Sequence, residues 1–162
     1  MPDTETDTEQ DGGTPERGYR TVLVVDDEVD SRELLARYAS RAGFTAITAG
    51  NAQQALSHLK TKAKLSAVLV DVSMPKMDGI SLTRQIRASL PPYIPILFTT
   101  GLDDKRTVMD AIRAGGDDYL IKPIRQVECI ELLRDLIEIG RMGDLPDRRS
   151  RLLRELGRRL GG

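Results

Sequence analysis

The sequence predicts an α/β domain, a doubly wound five-stranded parallel sheet with helices on both faces and one extra C-terminal helix. Three observations lead there. Five short apolar runs alternate with five segments whose apolar residues recur at helical spacing. The runs are apolar at consecutive positions, so both faces of the sheet need covering, and right-handed crossovers then leave few topologies. With 162 residues, 40% of them hydrophobic, the chain can fill one good core and not two.

The elements follow in order. "TVLVV" (21–25) precedes Leu34, Leu35, Tyr38 and Ala42 on one helical stripe, and "FTAITA" (44–49) precedes Ala52, Ala55, Leu56 and Leu59. "SAVLV" (66–70) is followed more loosely by Ile80, Leu82 and Ile86, and "IPILFTT" (94–100) by Val108, Met109 and Ile112. "DYLI" (118–121) leads into Val127, Ile130, Leu133 and Ile137, which sets the domain at 19–140.

The flanks differ from this body and from each other. Residues 1–18 hold Met1 as their one apolar side chain apart from prolines, too little burial to offset the entropy of ordering, and are expected to form a disordered acidic tail. Residues 141–162 read as a linker and a basic amphipathic helix, with Asp147 placed to cap it and Leu152, Leu153, Leu156 and Leu160 along one stripe. Its six arginines from 145 onward fit a solvated face first. Packing on the domain, pairing with a second copy as a homodimer, an acidic partner and an anionic membrane surface stay open beside it.

The net charge of −1 averages unlike parts: six acids and no base in 1–16, seven arginines against three acids in 141–162, and 17 bases against 16 acids between them. So balanced a body lacks the basic face that phosphate backbones require, and no nucleic acid is expected on the domain itself. One cysteine, Cys129, excludes an internal disulfide and a thiolate metal cluster. No apolar run approaches the roughly 18 residues that span a bilayer, and a cytoplasmic protein without a transmembrane segment is expected.

In such a sheet, ligands gather at the carboxyl ends of the strands, where the strand order reverses. Those ends carry Asp26 and Asp27, then Asp71, then Thr99 and Thr100, with Lys122 and Pro123 after the fifth. Singly, each acid is an ordinary cap or loop residue. Together, if the first and third strands are neighbours, three carboxylates meet, at a cost of up to roughly 4 kcal/mol per close pair at an effective dielectric of about 20. A cation relieves that cost. With oxygen ligands throughout, the chemistry selects Mg²⁺ or a similar divalent ion over zinc. Asp71 can then act as a nucleophile toward a phosphoryl group whose charge the metal and Lys122 neutralise.

"VLVVDDE" (22–28), "VLVDVSMPKMDG" (68–79), "IPILFTTG" (94–101) and "AGGDDYLIKP" (114–123) occur in this order and at this spacing. Over 20–139 the chain resembles the receiver domain of bacterial two-component response regulators, whose fold is flavodoxin-like. The resemblance implies that Asp71 is the phosphoacceptor and that Asp26, Asp27 and the backbone carbonyl of Ser73 complete a Mg²⁺ site with it. It implies that Thr100, rather than Thr99, binds the phosphoryl group with Lys122, and that Tyr119 is the switch aromatic. It further implies a sensor histidine kinase or histidine phosphotransfer protein as donor, a downstream protein partner, and stoichiometric transfer rather than enzymatic turnover. Ser73 and Leu102 stand where such proteins tune phosphate lifetime, and a cis Lys122–Pro123 bond is common at that step.

Other readings are weaker. "GGDDY" (115–119) is similar to the diguanylate cyclase signature, but the rest of a cyclase has no room. "DVSMP" suggests a haloacid dehalogenase-type phosphatase, yet Ser73 stands where its general acid would be. His58 reads as a solvated helix residue, Cys129 as a small buried hydrophobe, and Met74, Met77 and Met109 as loop and core filler. The competing function is a receiver-like interaction module that works without phosphorylation. The helix after 141 is too short for a DNA-binding output domain, which leaves a regulator acting through protein contacts or a fragment of a larger regulator or hybrid kinase.

Overall fold

The computed structural model describes residues 20–61, 64–73, 78–101 and 105–161, without the side chains of 61 and 159–161. The expected acidic tail, Met74, Met77, Leu102 and the Leu160 side chain lie outside the described residues. Strands β1 (Thr21–Val25), β2 (Thr45–Ala49), β3 (Leu65–Asp71), β4 (Ile96–Thr100) and β5 (Asp118–Ile121) alternate with helices. These are α1 (Val29–Arg41), α2 (Ala52–Thr61), α3 (Gly79–Ser89), α4 (Lys105–Ala114) and α5 (Gln126–Arg141), with α6 (Leu145–Gly161) following.

All strand pairs are parallel, in the order β2-β1-β3-β4-β5. The winding reverses between β1 and β3, where the acid-bearing strand ends lie side by side. β3 and β4 are buried throughout, and β1 is buried beyond its first residue, as consecutive apolar residues require. The edge strands depart from the expectation of two covered faces, because Thr45 and Thr48 of β2 and Ile121 of β5 reach solvent. β4 starts at Ile96 rather than Ile94: Pro95 has no N–H for the ladder, though its carbonyl accepts from the Val68 amide at 3.0 Å.

Two apolar layers sandwich the sheet. On one side Leu23, Val68, Val70 and Phe98 pack with Ala55, Leu82, Ile86, Val108 and Ile112 of α2, α3 and α4. On the other, Val22, Val24, Leu69 and Leu97 pack with Leu35, Ala39, Cys129, Leu133 and Leu136 of α1 and α5. Cys129 is the buried hydrophobe expected, its thiol pushed up to about 11 by burial. His58 is not merely solvated, since its Nε2 lies 3.0 Å from the Thr48 carbonyl and ties α2 to β2.

α6 belongs to both layers. Leu145, fully buried, joins the α1/α5 side, whereas Leu156, 1% exposed, joins the α4 side with Leu152 and Leu153 beside it. The helix begins a turn before the expected cap: the Asp144 carbonyl accepts from the Arg148 amide at 3.0 Å, which leaves Asp147 a first-turn acid paired with Arg151. Burial of Leu145 and the tolerance of a first helical turn for Pro146 account for the earlier start. Gly140 makes the α5–α6 junction possible, because a Cβ there would stand 2.2 Å from the Tyr93 carbonyl oxygen.

Candidate functional site

Strands β1 and β3 end side by side, and one carboxylate oxygen from each of Asp26, Asp27 and Asp71 lies within 4.8 Å of the others. Asp26 is fully buried. Its Oδ1 accepts from the Glu28 amide at 2.9 Å, and its backbone carbonyl accepts from Arg32 of α1 at 2.9 Å. Burial raises the Asp26 pKa above the usual carboxylate range, and the nearby charge of Asp71 adds to this while the Glu28 amide and Lys122 oppose it.

Lys122, carried in just past β5, donates from Nζ to Asp71 Oδ2 at 2.9 Å and to Asp26 Oδ2 at 3.3 Å. Burial on its own would lower its pKa, but the two carboxylates more than offset this and hold the ammonium above its ordinary value. The Lys122–Pro123 peptide bond is cis.

Asp71, 3% exposed, also accepts from the Ser73 amide at 2.8 Å through Oδ1. The Ser73 hydroxyl lies 3.0 Å from Thr100 Oγ1 and accepts from the Gly101 amide at 3.2 Å. Thr100 therefore reaches the site through Ser73. Thr99, paired in register with Asp71, is buried, with no hydrogen-bond partner for its hydroxyl among the described residues. Tyr119 stands apart from the carboxylates, stacked on Phe98 with centroids 5.9 Å apart, and packs in the cluster that contains Leu152 and Leu153.

Every expected site residue except Tyr119 is thus tied into one pocket. Three features of the site were not anticipated: Arg32 beneath Asp26, the serine bridge from Asp71 to Thr100, and the return of α3 against β3. Asp78 caps α3 by accepting from the Ile80 and Ser81 amides at 3.1 Å each. A Cβ on Gly79 would meet Val72 Cα at 2.4 Å and the Asp71 carbonyl at 2.7 Å, so only glycine lets the chain close on the site. An Asp-Gly pair soon after a strand-terminal acid was the available signal.

Among the described residues, three carboxylates share one ammonium, and all the donors are hard oxygens. Such a set suits a small divalent cation together with a transferable anion.

Over residues 22–134 the chain matches the model of the response regulator receiver domain. The chain belongs to that family. It is 38% identical over 120 residues to the transcriptional regulatory protein AruR of Pseudomonas aeruginosa, which is 72% of this chain and 48% of AruR. It is 39% identical over 108 residues to the transcriptional regulatory protein ZraR of Salmonella typhimurium, 67% of this chain and 24% of ZraR. The chain therefore spans less than half the length of either relative. Among solved structures, NtrX from Brucella abortus matches with a TM-score of 0.71 at 30% identity, covering 77% of this chain and 28% of that one. A CheY-like receiver domain protein from Methanospirillum hungatei JF-1 matches with a TM-score of 0.70 at 20% identity over 77% and 98% of the two chains, a likeness of fold. No helix among the receiver's described residues is long and apolar enough to cross a membrane.

Proposed function

We propose that this receiver accepts a phosphoryl group on Asp71 from a phosphohistidine of a sensor histidine kinase or histidine phosphotransfer protein, in a cytoplasmic setting, and changes its contacts with a downstream protein as a result. The observation that carries the reading is the Lys122 ammonium bridging Asp71 and Asp26 while Asp27 completes the acid cluster. A cluster with more carboxylates than cations among the described residues suits an anion that arrives with a metal better than it suits structural stability.

One Asp71 carboxylate oxygen attacks phosphorus, the P–N bond to the donor imidazole breaks, and the leaving nitrogen keeps the electron pair. Lys122 then exchanges its bond to the carboxylate for one to a phosphoryl oxygen, and Thr100, freed from Ser73, donates to another. Asp26, Asp27, Asp71 and the Ser73 carbonyl would hold Mg²⁺, which supplies charge neutralisation when bound. Ser73 offers no carboxylic proton donor beside the acyl phosphate, consistent with stoichiometric transfer. Thr100 moving toward the phosphate opens space for Tyr119, whose ring reports the switch.

A Phos-tag gel after treatment with acetyl phosphate and Mg²⁺ tests this. A shifted band for the wild type and none for Asp71→Asn is the expected result. No shift in either would favour the receiver-like interaction module instead.

A further inference from the structure

We propose that α6 is a covering helix held in cis: the Asp117–Asp118 pair at the head of β5 is a docking site for Arg148 and Arg149, and α6 seated there closes the α4–β5 face until Asp71 is charged. The release half of this proposal rests on the phosphoacceptor reading above. The docking half stands on geometry alone.

The bonds at the head of β5 are unlike ordinary surface ion pairs. Asp117 is 1% exposed, and its Oδ1 accepts from Arg149 Nε at 3.1 Å and NH2 at 2.8 Å. Arg148 donates to the Asp117 carbonyl at 2.9 Å and to Asp118 Oδ2 at 2.6 Å. Two adjacent arginines thus grip two adjacent acids, with the forked geometry that makes guanidinium pairs strong and directional. The outward arginine Arg151, by contrast, pairs with Asp147 of its own helix.

The apolar half of the contact is less complete. Leu156 is buried, but Leu152 and Leu153 are only partly so, and a crevice of about 400 Å³ remains between β5 and α6, lined by Tyr119, Leu152, Glu155 and Leu156 among others. Between its two buried anchors, Leu145 and Leu156, the helix is held by charge near one end and packed only partly through Leu152 and Leu153, so it can leave without unpairing the sheet, at the cost of exposing those two anchors. The turn at its head includes exposed Met142 and Gly143, whose φ of +81° and open surroundings make it a natural pivot.

The same short strand joins cover and site. Asp118 takes Arg148, its neighbour Tyr119 packs in the cluster that holds Leu152 and Leu153, and Lys122, about 13 Å further along at strand spacing, bonds Asp71. A Tyr119 ring that turns away from this cluster alters the surface on which α6 rests. If α6 prefers the resting arrangement, reciprocity requires that loosening α6 strengthen phosphoryl binding by the factor with which phosphoryl binding loosens α6.

The test compares the full chain with Arg148→Asp and with the swap Arg148→Asp/Asp118→Arg, using beryllofluoride with Mg²⁺ as the phosphoryl mimic. Fluorine NMR reads affinity, and amide hydrogen exchange reads residues 145–158. Arg148→Asp is expected to raise exchange there and to tighten beryllofluoride binding at least about fivefold, with the swap restoring both. Beryllofluoride should itself raise exchange in the wild type. Wild-type exchange and affinity in Arg148→Asp, or a swap that restores neither, would overturn the proposal. If no form binds beryllofluoride, the phosphoacceptor reading falls and the release with it. Exchange in the variant and its swap still decides the cover.

Discussion

Two acidic groups lie at opposite ends of the sheet, and they are balanced in opposite ways. At the carboxyl ends, Asp26, Asp27 and Asp71 face one ammonium among the described residues. At the head of β5, Asp117 and Asp118 face Arg87, Arg148 and Arg149, and Asp117 Oδ2 also accepts from Arg87 at 3.0 Å and from the Ile96 amide at 2.8 Å. Burial draws the Arg87 pKa down, Asp117 opposes this, and the neighbouring Arg149 adds to it. Among the described residues the first group has more carboxylates than cations, so it can take up a ligand. The second has its charges and hydrogen bonds satisfied, so it holds structure together.

The largest expected effect would break this contrast from the satisfied side. Asp117→Ala leaves two guanidinium groups and a buried amide without their partner and should cost about 3–5 kcal/mol in urea unfolding. A loss below 1 kcal/mol would mean that the network contributes little. At the other end, Mg²⁺ at a hundredfold excess over its dissociation constant should stabilise the wild type by about 2.7 kcal/mol. A melting curve indifferent to Mg²⁺ would remove the case for a metal.

A control lies away from both groups. Cys129 is neutral in the fold, and since burial raises its pKa from 9.0 to about 11, the stability it contributes is complete below pH 9 and is lost as pH rises toward 11. By pH 10 the wild type should have lost roughly 1.4 kcal/mol more than Cys129→Ala, relative to pH 7. Equal pH profiles for the two would count against that cause. The smallest effect sharpens the comparison: Asp27→Ala should raise apo stability by about 1 kcal/mol, by removing one of three like charges, and should abolish the Mg²⁺ response in the same melting experiment.

The pocket was legible because its residues sit at strand ends, and strand ends in a doubly wound sheet converge whatever the loops do. Asp26, Asp71 and Lys122 could therefore be brought together from runs such as "TVLVV" and "DYLI" alone, whereas the choice of Thr100 over Thr99 came from the family resemblance. The ties that cross the chain were not legible. Nothing in the spacing of Asp117 and Arg149, 32 residues apart, announces a bond. The same "GGDDY" that resembles a nucleotide-cyclase signature proved to be the seat of a helix. The α6 stripe was readable, but not its target, because a Leu face with arginine flanks suits several surfaces equally. Asp147 misled as a cap because burial of Leu145, a tertiary effect, started the helix earlier.

Leu145 and Leu156, set in opposite layers, have a consequence for the order in which the molecule is made. A chain leaving the ribosome amino end first can lay down all five strands and still lack a side chain on each side of the sheet, because α6 emerges after everything it fastens. Until then the nascent domain keeps part of its α4 flank wet and Asp117 without one of its arginines. Both layers of the sheet are completed late, by a single helix that closes them as it docks.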